Sequence, residues 1–446
     1  MINNKKVNIG VAVFVLGLIV SSKLQAAPNI VIILADDQTW SDTGCYGSPI
    51  VKTPNIDHLA SEGLRFDRAF TATAMCAPTR QQLYTGIFPV RNGAFPNHSK
   101  VKPGTKSLVH YYRDAGYSVG LCGKRHFGPA ASFPFKTVNR DQLKSFVNQE
   151  DPFVLVYASN SPHLPWEDGD TSAYDPASFK LPPYMHDNVE TRSALRKYYA
   201  EITDFDRELG ELDRIVDEAG KKEDTIFIYT SEQGAQFPFG KWTCYEIGLH
   251  VGLVMRWPGK IEAGSETKAL VQYVDVLPTL LDLCGIEKPN NLDGRSFAGV
   301  IHRETTIHNE YVYGVHTTRG IIQGSSSYPV RSVRDNRYKL IRNLNHRIEF
   351  SNVLINGNGS SYWSSWVRDS GTDENVKRLI DRYIRRPEVE LYDLENDPYE
   401  QNNLAGQTGY RKIFRRLDDQ LKRWMQQQGD SGHQTEMTVP PHKTMQ

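Results

Sequence analysis

Several short clusters in this chain carry side chains that do chemistry when they are brought together. Cys76 lies in Met-Cys-Ala-Pro-Thr-Arg, which continues as Gln-Gln-Leu-Tyr-Thr-Gly to residue 86. A thiolate is a nucleophile or a metal ligand, whereas a lone cysteine is as readily an inert buried side chain. Asp36 and Asp37 stand together behind an apolar run. Paired carboxylates in a dry place are costly unless they meet a cation or basic groups. Their hard oxygens suit Ca²⁺, with Mg²⁺ as second choice, although such a pair also serves as a helix cap in a solvated turn. Lys124 and His126 share a Gly-Lys-Arg-His-Phe-Gly turn, His163 stands in Ser-Pro-His-Leu-Pro, and Glu232-Gln233 follows Thr-Ser. Lys241 follows Phe-Gly. Taken singly, a Lys-x-His turn reads as a solvated loop and a histidine between prolines as packing.

The elements that must position these groups are legible. Residues 29–35 are a continuous apolar run, as expected of a parallel strand buried on both faces. Residues 117–122, 153–158 and 225–230 are similar short apolar runs, and each ends at one of the polar clusters. Residues 192–219 carry Leu195, Tyr199, Ile202, Phe205, Leu209, Leu212 and Val216 at helical spacing, with Gly220 as a stop. Strands alternating with helices predict an α/β fold with a doubly wound, mostly parallel sheet. Ligands bind beyond the carboxyl ends of strands in such sheets, so the clusters should converge there. A second helix is expected over residues 271–284. After about residue 305 the character changes to a hairpin over 328–342 turned at Asp335-Asn336, a strand at 390–394, and an amphipathic helix over 410–427. These predict a catalytic domain over residues 27–305 and a smaller C-terminal α+β unit over 306–446. The polar tail from Gly429 is expected to be mobile.

Bulk properties narrow the classes. The chain has 446 residues, 39% hydrophobic and 23% charged, which fits a packed core rather than disorder. Lys plus Arg and Asp plus Glu are 52 each, which argues against a general nucleic-acid binder but not against a local basic pocket. Lys5, Lys6 and a short apolar run over 9–20 read as a cleaved signal peptide over residues 1–26, with cleavage after Ala26. That run is too short for a comfortable span, so no stable membrane anchor is expected. The protein is expected in the periplasm or outside the cell. The five cysteines form no CxxC pair, and an odd count leaves at least one unpaired. Pairing among Cys45, Cys122, Cys244 and Cys284 stays open.

The run from Cys76 to Gly86 resembles the signature of the type I sulfatases of the alkaline phosphatase superfamily. The other clusters follow in that family's order, and the Leu391-Tyr392-Asp393-Leu394 run extends the resemblance towards the C-terminus. The resemblance implies that a maturation enzyme oxidises Cys76 to formylglycine (3-oxoalanine), whose hydrated aldehyde attacks sulfur and expels sulfate as the aldehyde reforms. It implies Arg80 as the group orienting the nucleophile. Lys124 and Lys241 would bind sulfate, His126 would act as base and His163 as acid. Asp36, Asp37, Glu232 and Gln233 would hold Ca²⁺ beside residue 76, although Glu232 and Gln233 are each one methylene longer than the family's usual residues. Phe237-Pro238-Phe239 and the Gly-Lys-Arg-His-Phe-Gly-Pro run are similar to the heparan N-sulfatase branch and its bacterial relatives. His316-Thr317-Thr318-Arg319 looks like a substrate loop, with Arg319 suited to a carboxylate or sulfate.

The expected activity is therefore hydrolysis of sulfate esters or N-sulfate on a sulfated glycan such as ulvan, carrageenan or heparan. Two other readings remain open on sequence alone. One is a phosphatase or phosphodiesterase of the same superfamily, which would use more Asp and His ligands at strand ends. The other is a binder of sulfated glycans without catalysis.

Overall fold

In the computed structural model, which describes residues 27–356 and 361–439, the expected strands lie side by side. The main sheet contains β1 (Asn29–Ala35), β2 (Leu64–Phe66), β3 (Ser118–Gly123), β4 (Lys136–Thr137), β5 (Phe153–Ala158), β6 (Thr225–Ser231), β7 (Leu253–Arg256) and β8 (Ser265–Thr267). Their order is β8-β2-β7-β6-β1-β5-β3-β4. β7 runs antiparallel to both neighbours and every other pair is parallel. β1 is central, and its alternate residues enter different cores. Ile30 and Ile32 pack on one face, Val31 and Ile33 on the other. That is why its sequence is continuously apolar rather than alternating. The segment expected to precede the mature chain lies outside the described residues. Among the described residues no helix is long and apolar enough to cross a membrane.

Three helices matter for the site and its support. α1 (Cys76–Thr85) is buried at every residue. α2 (Val189–Glu218) lays Phe205, Leu209, Leu212 and Val216 against the Val31 face of the sheet. It starts three residues earlier than its apolar spacing predicts, because Asn188 Oδ1 caps it by accepting from Thr191 N at 2.9 Å. The helix expected over 271–284 is shorter: α3 spans Val276–Leu283. Val271 and Gln272 instead pair with Ala69 and Phe70, and the Asp275 carboxylate accepts from Gln272 N at 2.9 Å ahead of the helix. Pro278 then falls in the first turn, where its missing N–H costs nothing.

The C-terminal unit is an antiparallel sheet, β9 (Val312–His316), β10 (Val330–Arg334), β11 (Tyr338–Asn343) and β12 (Val389–Asp393), in that order. Asp335 makes the expected hairpin turn: its Oδ1 accepts from Arg337 N and Tyr338 N at 2.8 and 2.6 Å. α4 (Arg411–Gln427) seals one face with Leu417, Leu421 and Trp424. All five cysteines are unpaired.

The tail corrects an expectation. Within residues 429–439, Asp430, Gly432 and Glu436 are buried anchors: α5 (His433–Met437) follows α4, and Asp430 pairs with the wholly buried Arg331 of β10, while residues 440–446 of the expected tail lie outside the described residues. One of the polar residues that suggested mobility, Asp430, is the partner of this buried guanidinium. Burial pushes the Asp430 carboxyl up, but Arg331 outweighs it and holds the carboxyl below its ordinary value. Its stabilising contribution is therefore present above the unfolded carboxyl range and lost on acidification. Replacing Asp430→Ala strands the guanidinium and should cost about 3 kcal/mol at pH 7, read as a lower urea midpoint. The gap to wild type should shrink below about pH 4. Equal midpoints at pH 7 would contradict the assignment.

Candidate active site

The carboxyl ends of four strands build one site. The β1–β6 ladder pairs Ala35 with Ser231, and Glu232 N donates to Ala35 O at 2.8 Å. Asp36-Asp37 thus emerges beside Glu232-Gln233. From the other side of β1, Asp36 N donates to Ser161 O at 3.0 Å, which ties in the His163 loop. Lys124 N donates to Ala158 O at 2.8 Å, which brings in the end of β3. This last approach requires Gly123: its φ is +91°, and a Cβ there would lie 2.1 Å from Ala158 O.

α1 delivers Cys76 as its first residue, so the sulfur sits at the helix N-terminus among these strand ends. The Sγ lies 3.7 Å from Asp36 Oδ1 and 3.9 Å from Asp37 Oδ1. Thr79, one turn on, turns away and holds the preceding loop by donating to Thr73 O at 2.5 Å. Arg80 is wholly buried under the nucleophile. Its Nε donates to Glu232 Oε1 at 2.7 Å, its Nη1 donates to Lys124 O at 3.1 Å, and its Nη2 lies 3.8 Å from Asp36 Oδ2. Glu232 is therefore first the counter-ion of Arg80. Gln233 Nε2 donates to Asp37 Oδ1 at 2.6 Å and to Cys76 Sγ at 3.3 Å.

Two lysines close on the carboxylates. Lys124 pairs with Asp36, and Lys241 with Asp37. Lys241 is placed by a tight loop in which its N donates to Ala235 O at 2.9 Å. Gly240 is needed there, since a Cβ would meet Ala235 O at 2.3 Å. His163 Nδ1 is hydrogen-bonded to Leu164 O at 2.5 Å, which leaves Nε2 facing Asp37 Oδ2 at 3.6 Å. His126 Nε2 lies 2.8 Å from His98 Nδ1.

The electrostatics follow from this packing. Burial alone would raise the Cys76 thiol, but Lys124 and Lys241 prevail and hold it well below its ordinary value. Burial also opposes an ionised Asp36; its bond with Glu232 and the charges of Lys124 and Arg80 keep it far down nonetheless. Burial pushes Asp37 and Glu232 up, more than Lys241 and Arg80 respectively pull them back. For His163, Lys241 and burial oppose protonation, yet Asp37, Cys76 and Asp36 outweigh them and its pKa is raised.

The cluster is suited to a cation. Ligand atoms of Asp36, Asp37, Cys76 and His163 all lie within 4.8 Å of one another. Gln233 Oε1 is buried there without a hydrogen-bond partner among the described residues. Carboxylate and amide oxygens form a hard donor set that fits a divalent ion of the Ca²⁺ or Mg²⁺ kind.

Not every expected site residue joins this cluster. His316 is wholly enclosed, with neither ring nitrogen hydrogen-bonded among the described residues, and it packs against Phe350 at 5.8 Å between ring centres. Burial, with Arg386 and Arg331 nearby, drives its pKa well down. His316 thus lies enclosed in the C-terminal unit, outside the charged cluster. Arg319 is half-buried; its Nε donates to Val439 O at 2.7 Å and its Nη1 to Ser326 O at 3.1 Å, both within the C-terminal unit. Sequence reasoning also missed His98. It lies in Pro-Asn-His-Ser with no motif or periodicity around it, and only the folded chain brings it to His126.

Comparison with known proteins supplies the class. The sulfatase family model matches residues 28–141 and 132–286. The model for the C-terminal part of N-sulphoglucosamine sulphohydrolase matches residues 234–354. The chain is 35% identical over 442 residues to an ulvan-active sulfatase of Formosa agariphila, which covers 94% of this chain and 84% of that protein. It is 27% identical to the N-sulphoglucosamine sulphohydrolase of Homo sapiens over 91% of this chain and 92% of that one. A solved structure bound to its substrate, D-glucosamine-2-N,6-O-disulfate, has a TM-score of 0.71 and 21% identity, covering 91% of this chain and 99% of that one, and shares the fold. The chain belongs to the sulfatase family, hydrolases of sulfuric esters.

A cation held by the folded cluster must stabilise the fold. After chelator treatment, Ca²⁺ at about a hundred times its Kd should raise stability by about 2.7 kcal/mol, read as a higher Tm. The Asp36→Asn/Asp37→Asn variant should lose that response. A wild-type Tm indifferent to both chelator and Ca²⁺ would contradict the site.

Proposed function

We propose that this protein is an exported, formylglycine-dependent sulfatase that removes sulfate from a sulfated polysaccharide or oligosaccharide. The observation that carries this reading is the placement of Cys76 at a helix N-terminus, in one buried cluster with three carboxylates, two lysines and Arg80. Oxidised by a maturation enzyme, residue 76 supplies a hydrated aldehyde as nucleophile, and Ca²⁺ held by Asp36, Asp37, Glu232 and Gln233 supplies positive charge for the sulfate oxygens. Arg80 fixes the helix start and offsets negative charge at the nucleophile. Lys124 and Lys241 bind the sulfate group and stabilise charge that develops on its oxygens. His163, whose pKa is raised, protonates the leaving oxygen or nitrogen. His126 takes the proton from the hydroxyl of residue 76 as sulfate departs. Residues 27–305 form the catalytic part and residues 306–446 its C-terminal support. The relatives acting on ulvan and N-sulphoglucosamine point to an anionic glycan as substrate, bearing ester or N-linked sulfate.

Sulfate release from ulvan, carrageenan, chondroitin and heparan oligosaccharides tests the reading. Cys76→Ala should abolish release while the Tm stays near wild type. Lys241→Ala should lower kcat by roughly 10²–10³. Hydrolysis of an aryl phosphate in clear excess over the aryl sulfate, or activity retained by Cys76→Ala, would overturn it.

A further inference from the structure

Neighbouring antiparallel strands need only a tight turn between them, yet β9 and β10 are joined by residues 317–329. Loops of that length in a compact unit commonly carry function. The tip of this one lies against the segment beside the nucleophile. Gly320 holds a φ of +88°, and a Cβ there would lie 2.9 Å from Asn97 O and 3.2 Å from Pro96 Cβ. Asn97 Oδ1 in turn accepts from Ala77 N at 3.5 Å, next to Cys76, and the following residue, His98, meets His126. Beyond Gly320, Ile322 is 50% exposed and Gln323 is exposed. The tip therefore offers apolar and amide surface beside the site.

The base of the loop is held by the last described residues of the chain. Glu436 of α5 is wholly buried, and its Oε1 accepts from Tyr328 N at 3.0 Å. Tyr328 N also donates to Thr318 Oγ1 at 2.9 Å, across the neck of the loop. Arg319 Nε donates to Val439 O at 2.7 Å, and Ser327 Oγ lies 3.3 Å from His433 Nδ1. The holding segment is itself fixed by Asp430, whose carboxylate pairs with Arg331 of β10 and accepts from Gly432 N at 2.9 Å. On its far side the loop rests on residues 349–351: Ser325 Oγ donates to Glu349 O at 2.8 Å, and Ser325 N to Ser351 O at 3.2 Å. Those bonds fix Ser325, past the tip. Arg319, just before the tip, has its bonds outside the loop with the C-terminal segment alone among the described residues. A buried carboxyl is tolerated only where it is hydrogen-bonded, so the placement of Glu436 and that of the loop are set together.

We infer that Glu436 is a positioning residue for substrate choice: it holds the base of loop 317–329 so that the tip meets the sugar units adjoining the sulfated one. This rests on the proposed function, since only a glycan longer than the sulfated unit reaches the tip. Contacts of that kind supply binding energy away from the reacting group. A loop that is in place only part of the time weakens binding in proportion. Loosening it therefore raises KM for an oligosaccharide and leaves the chemistry at residue 76 alone.

The test uses the full-length protein with Glu436→Leu, which fills a similar volume without an acceptor, and Glu436→Gln, which keeps one. Hydrogen exchange of the peptide spanning residues 317–329, read without substrate, should quicken in Glu436→Leu and stay near wild type in Glu436→Gln. The kinetic probes are ulvan and heparan oligosaccharides and the sulfated monosaccharides cut from them. Glu436→Leu should raise KM for the oligosaccharide roughly 10-fold, the effect of a loop in place about a tenth of the time, with kcat within about twofold. The monosaccharide should be turned over as by wild type, and Glu436→Gln should recover most of the loss. In Cys76→Ala protein with Glu436 intact, the oligosaccharide should slow exchange at residues 320–323 and the monosaccharide should not. That comparison does not depend on the folding of a Glu436 variant. Equal losses for both probes, an unchanged oligosaccharide KM, or no protection of the tip would overturn the inference. Failure of the wild type to release sulfate from either probe would count against the proposed function instead, and exchange in the Glu436 variants would still decide whether Glu436 holds the loop.

Discussion

Three carboxylates and three strong bases occupy one dry space in this protein, and most of the architecture around β1 serves to keep them there. Asp36, Asp37, Glu232 and Arg80 are essentially inaccessible to water, and Lys241 nearly so. Taking each such ion out of water costs several kcal/mol, and the mutual attraction of buried pairs does little more than offset it. The cluster is therefore poor as a device for stability and well suited to chemistry, because charges held in a low dielectric act strongly on whatever enters. Cys76 feels this first: two ammonium groups overcome its burial and favour the ionised sulfur. An incoming sulfate group, which carries negative charge on several oxygens, would meet the same field.

Parallel strands explain how such a cluster can be assembled from distant residues. β3, β5, β1 and β6 all run the same way, so their carboxyl ends fall along one edge of the sheet. Each delivers a short polar turn to that edge. Glycine at 123 and 240 permits backbone approaches that any side chain would block. The C-terminal unit braces the same region from outside. Tyr245 donates its hydroxyl to Glu390 of β12 at 2.8 Å, and Arg334 of β10 pairs with Glu246. The segment just after Lys241 is thereby held by the small sheet.

Much of this was legible in the sequence because it is local. A fully apolar run such as 29–35 can only be a strand covered on both faces, and the polar residues that end it must then stand at the sheet's edge. The convergence of Asp36, Cys76, Lys124, His163, Glu232 and Lys241 follows from that topology. What was not legible depends on contacts between segments with no sequence signature. The polar tail conceals the Arg331–Asp430 pair. His316 lies beside the polar Thr317 and Thr318, yet its environment is set by Phe350 and two buried arginines. Glu232 answers to Arg80, a partner some 150 residues away in sequence. His98 meets His126 only in the folded chain, where Gln81 bonds both of their loops.

On the proposed function, this charged edge serves an oxidised residue 76. Mass spectrometry of the peptide containing residue 76, from protein made in its native host or together with a formylglycine-generating enzyme, tests that claim most directly. The expected result is an aldehyde at residue 76 that reacts with hydrazides and resists thiol alkylation, with the other four cysteines unchanged. A residue 76 that remains an alkylatable thiol in protein that still releases sulfate would contradict it.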